Sequence, residues 1–367
     1  MTKLYIQEQE NKEKIALVEN GKLVEYYEES ENTNRKEGNI YIGIVKDIIK
    51  GMQSAFVDIG TEKNSFIHLK DILSKVDETK ETVDNTIDIT KLIKPKQKLL
   101  VQVKKDSNEK KGARVSTHIN LPSKYIVLMP NTDIVTVSQK IENEEEQKRL
   151  IKLVRNNLSE GNGAIIRTSA QGKEKEIIED IKEIEAKWNK IIQTSINPKE
   201  EKAKLLYKSE GIVEKILIDY ADKDVEIIKG KNIFENTDLE KQIEKIANRK
   251  IWLKCGGFIT IDKTEALTAI DVNTGKYTGN RNMEQTVFKV NKEATIEIAK
   301  QLRLRDIGGI VIIDYIDMKD KKDKETIEDL LKEELKKDRT KTQVEGFTKL
   351  DLMEMTRKHI CSHKEQK

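Results

Sequence analysis

Two apolar, strand-like segments, each ending in a carboxylate, flank one long amphipathic segment in the last third of the chain. The first, TEALTAIDVNTG, carries Asp271, and the second, GGIVIIDYIDM, carries Asp314. Residues 283–306 between them place an apolar stripe at helical spacing: Val287, Val290, Ala294, Ile298 and Leu302. The pattern predicts two parallel strands joined by a right-handed crossover helix. Such strands bring their carboxyl ends to one edge of the sheet, so Asp271 and Asp314 are expected to lie together.

The side chains at these strand ends predict a metal site. Asp271 and Asn273 are two residues apart and therefore project from one face of their strand. Two carboxylates and an amide oxygen suit Mg²⁺, which would supply the missing positive charge. The alternative is that Asp271 caps a turn and that Asp314 pairs with Arg303 or Arg305. Asp317 is interpreted as a helix N-cap or turn residue.

Bulk properties limit the class of protein but leave its function open. The length of 367 residues is typical of two or three domains. No charged-then-apolar leader and no long apolar run occur, so we expect a soluble, cytoplasmic protein. Cys255 and Cys361 are the two cysteines, too few for a disulfide framework. A net charge of +3 with 36% charged residues favours no class of partner.

The rest of the chain alternates between strand and helix patterns. Asn20-Gly21 predicts a tight hairpin, and Ile177, Ile181, Ile184 and Trp188 form a helical stripe. Other assignments by range are as follows: short barrel strands over 39–69, a flexible insertion over 76–90, strands again over 97–121, a strand over 212–220, a short helix over 231–248, a helix over 320–337 and a final strand–helix.

Several stretches, in this order along the chain, resemble the ribonuclease E/G family. They are AFVDIG, NSFIHL, KKGARVSTHINL, YIVLMPN, IIRTSAQGK, EALTAIDVNTG and QLRLRDIGGIVIIDYIDM. The resemblance implies a ribonuclease G-like, Mg²⁺-dependent endoribonuclease that acts on single-stranded RNA, with Mn²⁺ as a possible substitute. Asp271 and Asp314 match the family's metal-binding aspartates, and Asn273 matches its active-site asparagine.

The resemblance also implies a mechanism and a cellular role. Hydrolysis by a water molecule would leave 5′-phosphate and 3′-hydroxyl ends, and the substrates would be rRNA precursors and mRNA. The alternative function is an RNA-binding protein of the same fold with weak catalysis, but such a binder has no need of the two aspartates. A DNA-directed nuclease is disfavoured by the RNA-binding segments described next.

Two further segments resemble the family's RNA-holding parts. Residues 36–118 resemble an OB-fold barrel, in which Phe56, Phe66 and Lys111 match the RNA contacts. The alternative interpretation places both phenylalanines in the barrel core.

Residues 119–200 resemble the region that binds a terminal 5′-monophosphate. Arg167, Thr168, Val127 and Lys341 match its pocket. Ser123 replaces an expected glycine nearby, and Lys341 stands where an arginine often serves. Lysine keeps the charge but loses the bidentate fork, so weaker sensing is expected.

The fold implied is a multi-subdomain α/β and β protein. The OB-fold barrel is inserted in an RNase H-like piece, residues 1–35 and 201–247, of which the second part is shorter than expected. Residues 248–358 resemble a DNase I-like catalytic subdomain, and residues 359–367 form a tail. The family's Cys-Pro-x-Cys zinc link is not found, so we expect a monomer or homodimer with no zinc-bridged tetramer. His359, Cys361 and His363 are interpreted as tail residues with no zinc site.

Overall fold

The computed structural model describes residues 1–10, 12–30, 35–72, 88–107, 111–195, 202–235, 237–275 and 283–360. The chain divides into two compact units, Met1–Asn32 with Val225–Lys367, and Thr33–Asp224. The strands are β1 (Thr2–Gln9), β2 (Lys12–Glu19), β3 (Lys22–Ser30), β4 (Ile40–Ile49), β5 (Ser54–Asp58), β6 (Ser65–His68), β7 (Lys98–Lys105), β8 (Arg114–Ser116), β9 (Leu121–Pro122), β10 (Ile126–Pro130), β11 (Val135–Val137), β12 (Asn162–Ile166), β13 (Lys204–Tyr207), β14 (Val225–Gly230), β15 (Lys250–Trp252), β16 (Phe258–Lys263), β17 (Leu267–Asn273), β18 (Gly309–Asp314), β19 (Thr342–Phe347) and β20 (Leu352–Arg357). The helices are α1 (Ile89–Leu92), α2 (Glu144–Asn157), α3 (Lys175–Ser195), α4 (Ile212–Asp219), α5 (Leu239–Glu244), α6 (Met283–Leu304) and α7 (Lys321–Leu335).

The first unit contains a sheet of order β14-β1-β2-β3, in which β14 runs parallel to β1. The β2–β3 hairpin turns at Asn20 and Gly21, whose φ angles are 51° and 76°. Positive φ at both central residues is the requirement of a type I′ turn, which matches the twist of the two strands. The predicted hairpin is therefore confirmed.

The same unit contains a second sheet, of order β15-β16-β17-β18-β20-β19. Strands β17 and β18 are parallel and α6 connects them in sequence, as the strand–helix–strand pattern predicts. The predicted apolar stripe of α6 is buried against one face of this sheet, with Ile270, Val272, Val311 and Ile313. The opposite face of the sheet carries the candidate site.

The second unit contains a closed barrel. Its strands follow the order β4-β5-β6-β8-β7, and β7 pairs with β4 to close it. Alternate side chains fill the interior, among them Val45, Val57, Ile67, Val101 and Val115. The prediction of a small barrel in this part of a mixed α/β chain is confirmed, whereas the subdomain names and boundaries stay predictions.

In addition to the barrel, the second unit contains a sheet of order β11-β12-β10-β9 that packs with α2 and α3. The predicted stripe of α3 (Ile177, Ile181, Ile184 and Trp188) is buried in that core. These two helices and four strands hold the segments predicted to bind a 5′ end.

Three local predictions were wrong. Residues 212–219 form a helix instead of a strand, because Ile212, Ile216 and the following Tyr220 recur every four residues and are all buried. Residues 342–357 form two strands instead of a strand and a helix, since Met353, Met355 and Arg357 alternate inward. Within the predicted helix 231–248, α5 and a 3₁₀ turn cover only Leu239–Ala247. Most of the predicted insertion over 76–90 lies outside the described residues.

Candidate active site

Strand register places Asp271 beside Asp314. The parallel ladder of β17 and β18 begins at Leu267 with Ile310 and ends at Asp271 with Asp314. Neighbouring strands lie about 4.8 Å apart, so the two carboxylates leave adjacent backbone positions at one sheet edge. The expected proximity of these two side chains is what the structure shows.

Asn273 joins the pair through a direct hydrogen bond. Its Nδ2 donates to Asp271 Oδ2 at 2.6 Å. Asp271 and Asn273 lie on the open face of β17, while Ile270 and Val272 between them are buried. Because the amide nitrogen is held by a carboxylate, the orientation of the Asn273 side chain is defined before any ligand binds.

The electrostatics of the site are those of crowded negative charge. Partial burial, and then the charges of Asp271 and Asp317, raise the pKa of Asp314 above its ordinary value. Among the described residues, no lysine or arginine forms an ion pair with Asp271 or Asp314. An unbalanced carboxylate pair of this kind stabilises a cation placed next to it.

The alternative in which an arginine neutralises Asp314 is wrong. Arg303 donates instead to Glu25 at 3.0 Å and to Glu19 at 3.2 Å. Arg305 donates to Gln301 Oε1 at 2.6 Å and to the carbonyl of Asn248 at 2.9 Å. Asp271 does not cap a turn, since it lies within the β17 ladder.

Asp317 lies in the loop between β18 and α7 and is exposed. The N-cap of α7 is Asp320, whose side chain accepts from the backbone N–H of Lys322 at 2.9 Å. Asp317 is therefore not the N-cap but lies in the loop, which agrees with its interpretation as a turn residue. Its charge affects the pKa of Asp314.

The residues present fit a hard divalent cation. Mg²⁺ is usually held by one or two carboxylates and keeps several waters. Asp271 and Asp314 provide two carboxylates that pair with no lysine or arginine in the part of the chain that the structure describes, and Asn273 adds an amide oxygen. No group of three or more His, Cys, Asp or Glu side chains within the described ranges could enclose a metal alone.

A positioning contact that the sequence did not reveal lies behind the site. Asn291 of α6 is fully buried, donates to the carbonyl of Ile316 at 2.8 Å and accepts from its N–H at 3.1 Å. Thr295, one turn further on, donates to the hydroxyl of Tyr315 at 2.9 Å. These contacts fix the backbone that leaves Asp314. Their only signal in the sequence is a pair of polar residues beside the apolar stripe of the helix.

In the barrel, Phe56 and Phe66 are cross-strand partners on β5 and β6. Their ring centroids are 6.3 Å apart in an edge-to-face arrangement. Both rings are half-buried, whereas Val57 and Ile67 beside them are fully buried. The rings thus lie on the face opposite the interior, and the alternative that places them in the core is wrong.

Lys111 is exposed and precedes β8, whose first residue pairs with Phe66. A Cβ at Gly112 would lie 1.9 Å from the carbonyl oxygen of Asn64, so only glycine permits this approach. Lys111 is thereby held at the end of the strand that flanks Phe66.

The predicted 5′-end residues of the second unit gather around β10 and β12. Val127 pairs with Ile165, and the N–H of Arg167 donates to the carbonyl of Tyr125 at 2.9 Å. Thr168 follows and is exposed. Lys341 belongs to the first unit, where it is exposed and immediately precedes β19.

Arg167 already has an acidic partner. Its guanidinium forms an ion pair with Asp219 at the end of α4. The sequence prediction missed Asp219 because residues 212–220 were interpreted as a strand. Ser123, the residue that replaces an expected glycine, donates to Asp180, and the buried Asp180 carboxylate also accepts from the N–H of Tyr125 at 2.9 Å. The hydroxyl therefore has a structural partner.

Comparison with known proteins decides the family. Residues 120–229 and 222–360 match the sequence model of the Ribonuclease E/G family. The chain belongs to the ribonuclease E/G family. The predicted family, and with it the prediction of an endoribonuclease, is confirmed.

Individual relatives of this ribonuclease E/G chain cover most of its length. Ribonuclease G of Escherichia coli (strain K12) is 39% identical, over 94% of this chain and 77% of the relative. Ribonuclease G of Haemophilus influenzae is 39% identical, over 95% of this chain and 77% of the relative. Ribonuclease E of Buchnera aphidicola is 32% identical, over 96% of this chain and 40% of the relative.

Proposed function

We propose that the chain hydrolyses single-stranded RNA at the edge of the sheet formed by β17 and β18, with Mg²⁺ held by Asp271 and Asp314. The observation that carries the proposal is the side-by-side placement of these two carboxylates, unbalanced by any described cation. Mn²⁺ shares the preference for oxygen ligands and would substitute. The products would carry 5′-phosphate and 3′-hydroxyl ends.

The protein's own contribution is to hold and orient groups around the scissile phosphate. When bound, Mg²⁺ supplies an activated water and stabilises the negative charge that develops on the phosphate. Asn273, whose amide is fixed by Asp271, orients the attack through its remaining hydrogen-bonding capacity. Asn291 keeps the backbone after Asp314 in place and is a positioning residue.

The barrel would hold the RNA. Phe56 and Phe66 present half-buried ring edges and faces outside the barrel interior, where bases can stack without sequence preference. Lys111, at the adjacent strand end, would contribute a phosphate contact.

A preference for 5′-monophosphorylated RNA is the finer part of the proposal. Arg167 and Thr168 would bind the terminal phosphate, Val127 would line the pocket, and Lys341 would add a point charge. The ion pair of Arg167 with Asp219 makes this binding a competition between carboxylate and phosphate. We therefore expect a preference of about tenfold over 5′-hydroxyl RNA, the lower end of what one charge-assisted bond supplies.

The resemblance to the family supports rRNA processing and mRNA turnover as the proposed cellular roles.

The chemical part of the proposal is tested by incubating the full chain with a short 5′-monophosphorylated RNA in Mg²⁺ or in EDTA. Cleavage in Mg²⁺ alone, with 5′-phosphate and 3′-hydroxyl products, is expected. RNA binding without cleavage in either condition would favour the alternative of a weakly catalytic RNA-binding protein.

The 5′-end part is tested by comparing cleavage rates on otherwise identical RNAs with 5′-monophosphate, 5′-triphosphate and 5′-hydroxyl ends. Arg167→Ala should erase the preference for monophosphate, and Lys341→Arg should strengthen it. Asp219→Asn should also strengthen it, because the guanidinium is then released to the phosphate. Equal rates on all three RNAs in the wild type would refute the preference.

A further inference from the structure

An exposed aromatic cluster lies on the same sheet face as the candidate active site. Across β15, β16 and β17, Trp252 pairs with Phe258 and Phe258 pairs with Asn273. Directly opposed residues in antiparallel strands project from the same face, so both rings share the face of Asn273. Two strand spacings separate Trp252 from Asn273, about 10 Å.

The two rings form a defined platform. Their centroids are 5.3 Å apart in an edge-to-face arrangement, and Trp252 is 57% exposed. The turn that leaves the active-site strand passes close to both rings, since a Cβ added at Gly275 would lie 3.2 Å from Phe258 Cδ1 and 3.4 Å from Trp252 Cζ3. Gly275, two residues after Asn273, therefore lies next to the platform.

A cation accompanies the rings. The Lys250 ammonium lies 4.3 Å from the Trp252 ring centroid and 3.5 Å from that of Phe258. No carboxylate among the described residues pairs with Lys250, although carboxylates neutralise Lys3, Lys187 and Lys324 in the same chain. An unneutralised lysine beside an open indole provides both a phosphate contact and a stacking surface.

The position of the platform relative to the two carboxylates points to the substrate. The open face carries the carboxylates of Asp271 and Asp314 at one strand end and this platform across the neighbouring strands. A single strand of RNA that presents a phosphate to the carboxylates would pass a base over the platform.

We propose that Trp252, Phe258 and Lys250 bind a nucleotide of the RNA substrate close to the scissile phosphate, with its base stacked on Trp252 and its phosphate near Lys250. The inference rests on the proposed function, since it assumes that RNA occupies this face. The stacking is indifferent to base identity, because every base offers a π face. The platform is a binding subsite and takes no part in the bond-breaking step.

The test measures binding of a short single-stranded RNA to the full-length Asp314→Asn protein, so that no substrate is consumed. Adding Trp252→Ala should weaken binding by about fivefold to 150-fold, and Trp252→Phe should retain most of the affinity. Lys250→Gln should lower the slope of log affinity against log salt by about 0.7, the loss of one contact to a single strand. Ile310→Ala, at the other end of the same face and 50% exposed, is the matched control and should change nothing.

An abasic scan of the RNA locates the stacked base. One abasic position should weaken binding to the parent protein but not to Trp252→Ala, as a double-mutant cycle requires for a direct contact. Trp252 emission should also be quenched by RNA, whereas Trp188 is buried and should report no change.

The outcomes separate this inference from the proposed function. If the protein binds RNA but the loss of binding caused by each abasic position simply adds to the loss caused by Trp252→Ala, no base contacts Trp252. That result would overturn the platform and would leave the proposed hydrolytic site untouched. A change in sedimentation of Trp252→Ala without a change in RNA affinity would instead make the cluster a contact between copies of the chain, and would also overturn it. If Trp252→Ala and one abasic position are coupled in RNA binding, but the wild type shows no Mg²⁺-dependent cleavage, the platform would be supported and the proposed hydrolysis would be refuted.

Discussion

At the scale of single residues, the sequence predicts the proposed metal ligands more clearly than the residues that position other side chains. Asp271 and Asp314 were predictable because each lies near the carboxyl end of an apolar strand and the crossover rule brings such ends together. Asn291 was not, because a buried asparagine in a helix differs from a surface one only through its partner, here the backbone of Ile316. Asp219 was not predicted as a partner of Arg167, because residues 212–220 were assigned to a strand instead of a helix.

Asp314→Asn is expected to raise the thermal midpoint slightly in metal-free buffer, because solvent screens most of the repulsion at this exposed side chain. Burial and the charges of Asp271 and Asp317 raise the folded-state pKa of Asp314, so its ionised form destabilises the fold at neutral pH. Mg²⁺ should then stabilise the wild type but not the variant, as calorimetry with and without Mg²⁺ would show.

The matched control is Asp338→Asn. Burial alone would raise the pKa of Asp338, but the ion pair with Arg357 outweighs it and lowers that pKa. Removing the Asp338 charge should therefore lower the thermal midpoint. A loss of stability in Asp314→Asn equal to that in Asp338→Asn would contradict the proposed charge crowding.

Phe56→Ala and Phe66→Ala should each weaken RNA binding by ~1–3 kcal/mol, because the rings lie outside the barrel interior and are available for stacking. Their thermal midpoints should fall less than that of Val57→Ala, a truncation inside the barrel. Gel-shift affinities and thermal melts separate the two effects. Unfolding of either phenylalanine variant, without a separate binding defect, would refute the stacking role.

At the scale of elements, long periodic segments were predictable and short ones were not. The predicted stripes of α3 and α6 follow the helical period over about three and four turns, within helices of 21 and 22 residues, and the β2–β3 hairpin is set by Asn20-Gly21. α4 has only two turns, and its apolar residues suit a strand equally well. The last strand, β20, buries a charged residue, Arg357, whose partners Asp306 and Asp338 are 51 and 19 residues away in the chain.

Glu146 gives a test at this scale, because it ties the first turn of α2 to the loop that follows Thr168. The guanidinium of Arg149 and the N–H of Gly172 lower the pKa of Glu146 to about 2. A depressed carboxyl pKa contributes stability that is complete above the unfolded value, about 4.5, and is lost as the pH falls toward 2. Glu146→Gln should therefore cost about 0.5–1 kcal/mol at pH 7 and progressively less below pH ~4.5.

Urea unfolding at pH 7, 4 and 3, followed by the emission of Trp188 in a Trp252→Phe background, measures that difference. Glu144→Gln, on the same turn but much more exposed, is the control. A deficit for Glu146→Gln that stays constant from pH 7 to pH 3 would contradict the assigned ion pair.

At the scale of the whole molecule, the two units carry different parts of the proposed chemistry. The carboxylate site and the Trp252 platform belong to the first unit, and the barrel with Phe56 and Phe66 belongs to the second. The order of motifs along the chain was sufficient to predict the family, because it extends over both units. Among the residues that the structure describes, no helix combines the length and apolarity needed to cross a bilayer.

The division of work between units leads to the measurement that tests the central claim most directly. Asp271→Asn and Asp314→Asn are each assayed for cleavage of a 5′-monophosphorylated single-stranded RNA in Mg²⁺, and for RNA affinity by gel shift. Both variants should lose cleavage, because the amide that replaces either carboxylate removes a charge needed to hold the ion. Both should keep their RNA affinity within a few fold, because Phe56, Phe66 and Lys111 hold the RNA. Near-normal cleavage by either variant would contradict the assignment of this pair as the metal site.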